Sequence, residues 1–109
     1  MNIGFIGLGA MGTPMTGHLV AAGHDVMVLR HSLHKAEGAR PVDDPRHMAG
    51  QADVVLLMVP GAPEIETLLP YLADGAAERD GERGGVVIAV GSTVSPDDVA
   101  RWHREHPDL

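Results

Sequence analysis

Residues 4–15 read GFIGLGAMGTPM. Gly7, Gly9 and Gly12 follow the apolar run NIGFIG (2–7) and precede a run with helical spacing. As bare spacing, G-x-G-x-x-G is a weak sign, because glycine is common and many turns contain it. Here the context matches a mechanism: a strand ends at Gly7, a helix begins just after Gly9, and a second βα unit follows within about 30 residues. Gly7 allows a tight turn, Gly9 lets backbone approach a pyrophosphate, and Gly12 lets the helix pack closely on the strand. The N-terminus of that helix offers unpaired N–H groups and partial positive charge to an anion. The alternative is an ordinary strand-to-helix turn that holds nothing.

The rest of the chain alternates in the same way. Met11, Met15, Leu19 and Ala22 are about one turn apart and predict the buried face of a helix over 10–22, with Pro14 near its start and Gly23 as its stop. DVMVLR (25–30) is a second strand, Ser32 a cap for a short helix through Glu37, and ARPV (39–42) a short third strand. Asp44-Pro45 opens a brief helix ending at Gly50. DVVLLMV (53–59) has the continuous apolar character of a strand covered on both faces. A helix starts at Pro63 with Ile65, Leu68, Leu69 and Leu72 on one side, and DGAAERDGERGG (74–85) reads as a polar surface excursion. VVIAV (86–90) is the next strand; Ser95, Pro96 and Asp98 supply the start of a last helix. This pattern predicts an α/β fold: a Rossmann-like, doubly wound parallel sheet of about five strands in the order 3-2-1-4-5.

At the end of the second strand such folds usually carry an acid that binds the adenosine ribose hydroxyls. This chain instead has Arg30, His31 and Ser32, and its nearest acid, Asp25, lies at the wrong end of the strand. A cation and a hydroxyl there suit a 2′-phosphate, favouring NADP over NAD; the alternative is a solvated arginine.

Composition narrows the class. The chain has 109 residues, 44% of them hydrophobic, a formal net charge of −7 and no cysteine; its mean hydropathy is near zero. That is one soluble globular domain without a basic surface for nucleic acid or anionic membrane, and without thiolate chemistry. No signal peptide is visible, and the longest apolar run, 54–59, is far below the roughly 20 residues that span a bilayer. A cytoplasmic protein is expected. The histidine pairs His31/His34 and His103/His106 lack a placed third ligand and read as exposed helix residues, not a metal site. Trp102 reads as the anchor of the last helix.

GFIGLGAMGTPM, AAGHDVMVLRHSLHKAE, ADVVLLMVPGAPEIETLL and GSTVSP, in this order, resemble the N-terminal segments of the β-hydroxyacid dehydrogenases, the family of 3-hydroxyisobutyrate and 6-phosphogluconate dehydrogenases. The resemblance covers nearly the whole chain. It implies hydride transfer between NADP or NAD and a small β-hydroxyacid. It places Gly7, Leu8, Gly9, Ala10, Met11 and Gly12 around the pyrophosphate, and Val59 and Pro60 beside the nicotinamide ribose. The resemblance also implies that Ser92 and Thr93 bind the substrate carboxylate and that Thr93 flanks the nicotinamide; an ordinary turn is the alternative for that pair. The family's Asn-Arg-Ser/Thr after the second strand is Arg30-His31-Ser32 here, so the cation is shifted by one position. The acid common just before the GSTVSP loop is replaced by Ala89 and Val90.

The family's acid/base lysine and its helical, dimerising domain lie beyond residue 109, and the only lysine here is Lys35. The resemblance therefore implies a truncated dinucleotide-binding domain over 1–109, with no catalytic residue of its own, from an enzyme that forms a homo-oligomer. It also implies an uncovered apolar patch where later elements pack. An imine reductase, with a similar glycine signature, and a stand-alone non-catalytic nucleotide-binding module are the other expectations.

Overall fold

The apolar runs pair as five parallel strands: β1 (Asn2–Ile6), β2 (Asp25–Leu29), β3 (Arg40–Val42), β4 (Val54–Leu57) and β5 (Val87–Val90). Their order across the sheet is β3-β2-β1-β4-β5, as the alternation predicts. The computed structural model describes residues 1–9, 12–79, 84–91, 94–107 and 109, and only the backbone of 34 and 35. The helices are α1 (Gly12–Ala21), α2 (Pro45–Gln51), α3 (Ala62–Ala77) and α4 (Pro96–Glu105), with a 3-10 segment at Arg30–Lys35.

Side-chain alternation along the strands feeds two cores. Phe5, Val26 and Val28 face one side, where they meet Leu8 and Ala36 and the half-buried Leu19 and Val20. Ile6, Met27, Val55 and Leu57 face the other and pack with Met48, Ile65, Leu69, Leu72 and Trp102 from the helices. Burial on both faces explains why these strands read as unbroken apolar runs. The covering is uneven at β5, where Val87 is 60% exposed. Register puts Val87 opposite Val54 and Ala89 opposite Leu56 on that same side of the sheet.

Helix ends follow the sequence signals. Gly23 has φ +91°; its N–H donates to Val20 O (3.0 Å) and that of His24 to Leu19 O (3.2 Å), a Schellman stop for α1. Asp44 accepts from the His47 N–H at 2.8 Å and Ser95 from that of Asp98 at 3.1 Å. Trp102 is buried and its indole N–H donates to Glu66 at 3.3 Å, tying α4 to α3.

Three expectations are corrected. The buried residues of α1 are Gly12 and Thr16, while Met15 is 37% exposed. Small residues face the sheet because the helix lies too close for methionine. Ser32 caps nothing: the 3-10 segment starts at Arg30 after Leu29, without a side-chain cap. Residues 74–77, read as the start of a surface excursion, are the last turn of α3.

That last turn is packing-driven. Gly75 is buried, and a Cβ on it would collide with the Arg46 carbonyl of α2. The same two helices are clamped by Arg46, whose Nε reaches both Glu78 oxygens (3.0 and 3.1 Å) and whose Nη2 reaches Oε1 at 2.5 Å. This hydrogen bond, then the carboxylate charge, raises the Arg46 pKa above its ordinary value. Arg79 donates to the Ala49 and Ala52 carbonyls (2.8 and 2.6 Å), satisfying backbone acceptors at the α2 end.

Two helix glycines therefore respond oppositely to one substitution. Gly17→Ala, on the exposed side of α1 with nothing among the described residues within 4 Å, stabilises the chain by about 0.5–1 kcal/mol through backbone entropy. Gly75→Ala has the same propensity gain but lowers the melting temperature, because forcing α2 and α3 apart costs about 1–3 kcal/mol. Thermal unfolding of the two variants beside the parent checks the pair.

Candidate functional site

The carboxyl ends of the parallel strands meet at one edge of the sheet, and the turn between β1 and α1 sits there. Its three glycines have three separate surroundings. Gly7 has φ +102°, and a Cβ on it would collide with the Met58 carbonyl after β4. A Cβ on Gly12 would collide with the Gly7 carbonyl and lie 3.1 Å from the Phe5 ring, so α1 is held flush against its own strand. Gly9 is exposed, with nothing among the described residues within 4 Å of where its Cβ would stand. The fold requires the first and third glycines. The second leaves open space.

The Gly9 carbonyl accepts from the Thr13 N–H at 3.1 Å, beginning the helical ladder. First-turn N–H groups of a helix have no partner within it and carry the positive end of its dipole. An exposed Gly9 without a Cβ, leading into such a helix start, fits a pyrophosphate. Leu8 is 7% exposed and packs into the α1-side core, so it anchors the turn and only its backbone is available to a ligand. Ala10 and Met11 lie outside the described residues.

Met58 joins this turn to its neighbours. Its N–H donates to Ile6 O at 2.8 Å, its carbonyl lies against Gly7, and its side chain occupies the space where a Gly91 Cβ would go. The Gly91 N–H in turn donates to Leu57 O at 2.9 Å. The segments after β1, β4 and β5 are thus locked together at the edge. Val59, half-buried against the larger core, and the exposed Pro60 follow Met58 there. Ser92 and Thr93 lie outside the described residues.

At the other half of the edge, Leu29 of β2 pairs with Val42 of β3. The next residue of each chain segment meets the other: Arg30 Nε donates to Asp43 Oδ1 at 2.9 Å, with 64% and 67% of the side chains exposed. An exposed pair of this kind contributes about 0.2–1 kcal/mol, so a ligand can redirect the guanidinium at small cost. His31 is exposed and Ser32 half-buried beside it. An acid from the neighbouring strand, Asp43, thus stands beside Arg30 at the end of β2.

A crevice of about 290 Å³ between α3 and α4, lined by Glu66, Leu69, Arg101, Trp102, Glu105 and His106, lies on the helical side. Arg101 pairs there with Glu66, with Asp98 at 3.4 Å and with Glu105 at 3.8 Å. These charges serve helix packing.

Residues 2–108 match the family described as the NAD binding domain of 6-phosphogluconate dehydrogenase. The chain belongs to this family, the N-terminal NAD-binding domains of β-hydroxyacid dehydrogenases. Over its whole length the domain is 32% identical to 2-hydroxy-3-oxopropionate reductase of Escherichia coli and covers 38% of that protein. A solved 3-hydroxyisobutyrate dehydrogenase of Mycobacterium tuberculosis superposes on 97% of the domain with a TM-score of 0.76 and 27% identity, the match covering 36% of that chain. An imine reductase of Myxococcus stipitatus, solved with NADP+, shares the fold at a TM-score of 0.77 and 20% identity, over 97% of the domain and 38% of its own chain. The NAD-binding domain thus spans little more than a third of the length of these relatives.

Sequence reasoning placed the glycine turn and the β2 end of this domain but missed Met58, Gly91 and Asp43. A glycine directly after VVIAV was the available signal for Gly91; Asp43, directly after ARPV, was the other. The glycine assignments make a stability prediction free of any ligand. Gly7→Ala costs about 1–3 kcal/mol or more from its positive φ alone, before the clash with Met58. Gly9→Ala stays within about 0.5 kcal/mol of the parent. Urea unfolding of the two variants measures both.

Proposed function

We propose that this domain binds a nicotinamide dinucleotide along the carboxyl edge of its sheet, NADP(H) ahead of NAD(H), within an oxidoreductase that acts on a small β-hydroxyacid. The observation that carries the reading is the glycine turn, in which two positions are closed by packing and the exposed middle one is open. In this reading the backbone of Gly7, Leu8, Gly9, Ala10, Met11 and Gly12 lies around the pyrophosphate, and the helix start neutralises part of its charge. Arg30, with His31 and Ser32, faces the adenosine ribose and accounts for the NADP(H) preference. Val59 and Pro60 lie beside the other ribose, as the family resemblance implies. Ser92 and Thr93 receive the substrate carboxylate.

The nicotinamide, when bound, supplies a hydride donor or acceptor. Moving the accompanying proton at the substrate hydroxyl is assigned to a lysine outside these 109 residues, since Lys35 lies between β2 and β3 in the cofactor half. General acid–base assistance contributes typically about 10²–10⁴-fold, so the 109 residues bind nucleotide without appreciable turnover. A hydroxyacid is preferred to an imine as substrate class because the 32% identical relative is named 2-hydroxy-3-oxopropionate reductase, whereas the imine reductase likeness concerns the fold. A homo-oligomer, which the family resemblance implies, and a cytoplasmic setting complete the reading.

Isothermal calorimetry with NADPH and NADH tests the proposal. The parent chain binds nucleotide, and Gly9→Ala weakens binding at least about tenfold while keeping its unfolding midpoint, because a methyl group then occupies the space left for the pyrophosphate. Absence of binding at millimolar nucleotide, or undiminished binding by Gly9→Ala, contradicts it.

A further inference from the structure

The Arg30–Asp43 pair carries an inference about selectivity that rests on the dinucleotide reading. Both residues lie one position beyond the last register pair of β2 and β3, at the rim of the edge. Neighbouring Asp44 is committed to capping α2 through the His47 N–H at 2.8 Å. Asp43 instead turns to Arg30 at 2.9 Å and is two-thirds exposed. Among the described residues, Arg30 shows no other hydrogen bond, so its Nη groups are available to an oxyanion.

We propose that Asp43 restrains the choice between the two dinucleotides: it weakens binding of a phosphate monoester on the adenosine ribose and leaves the unphosphorylated ribose acceptable. A ribose 2′-phosphate carries between one and two negative charges near neutral pH. A guanidinium fork suits it, through charge-assisted and often bidentate bonds. With Asp43 in place the pair presents no net charge to that phosphate, and the carboxylate competes for the same guanidinium. With Asp43 neutralised, one full positive charge faces the phosphate. A ribose diol is uncharged, so the same change leaves it nearly indifferent, or costs it an acceptor for its hydroxyls. Arg30 thus favours NADP(H), and Asp43 limits that preference so that NAD(H) stays in competition.

The test is fluorescence or calorimetric titration of NADPH and NADH into the parent chain, Asp43→Asn, Arg30→Ala and the double variant, with melting temperatures as a folding control. Asp43→Asn is expected to tighten NADPH by about 3- to 10-fold at low salt, where exposed charges are least screened. NADH changes by less than about twofold or weakens, and the NADPH gain shrinks in 0.5 M salt, where the Debye length falls below about 5 Å. In the double variant the gain disappears, because the carboxylate acts through the guanidinium. Equal effects on the two nucleotides, a weaker NADPH complex in Asp43→Asn, or a gain that survives without Arg30 would overturn the proposal. If the parent binds neither nucleotide, the dinucleotide reading falls first and takes this inference with it. If the parent binds both and Asp43→Asn is indifferent, only the inference falls.

Discussion

The close approach of Gly7 to the Met58 carbonyl is the constraint on which the edge of this sheet depends. It requires a positive φ and no side chain at one residue, and it fixes where the chain turns from β1 into α1. Gly12 then lets α1 lie against the Gly7 carbonyl, which brings a helix start to the carboxyl edge instead of a few ångströms away. Met58 reaches in the other direction to Gly91, so the segments after β1, β4 and β5 share one support. The described backbone at this edge is held by close packing and hydrogen bonds. That is what recognition of a pyrophosphate through N–H groups requires, since such groups cannot reorient as side chains do.

The Arg30–Asp43 pair at the other half of the edge has the opposite character. It is exposed, joined by one short contact, and set beyond the end of the paired strands. The structural ion pairs differ. Arg46 holds Glu78 through three contacts, and Arg101 engages Glu66, Asp98 and Glu105. Those clamp helix to helix. A single exposed pair between two strand ends contributes little to stability, and it is easily redirected by a ligand. On the proposed reading, packed backbone meets the part common to both dinucleotides, and a labile charge pair stands where they differ.

Much of this was legible in the sequence, for identifiable reasons. Parallel strands buried on both faces appear as unbroken apolar runs, so their order and number followed from alternation with helices. Gly23, Asp44-Pro45 and Ser95-Pro96 marked helix ends because capping is local chemistry. Apart from the Ser32 cap, what failed depended on distance between elements. The α1 face was misjudged because hydrophobic spacing favours Met15, whereas close packing on the strand demands Gly12 and Thr16. The end of α3 was misread as a polar excursion because Gly75 looks like a breaker; its smallness serves contact with α2. Asp43 escaped notice because its partner is 13 residues away, and only the pairing of β2 with β3 brings them together. The glycine turn, by contrast, carries its mechanism within nine residues of chain.

The most direct test of the cradle is a backbone amide NMR titration of the chain with NADPH. Early, saturable shifts at Gly7, Leu8, Gly9, Gly12 and Thr13, with smaller ones at Arg30, are the predicted result. Saturable shifts centred on the α3–α4 crevice around Glu66, Trp102 and His106, with the glycine turn unmoved, would contradict the account.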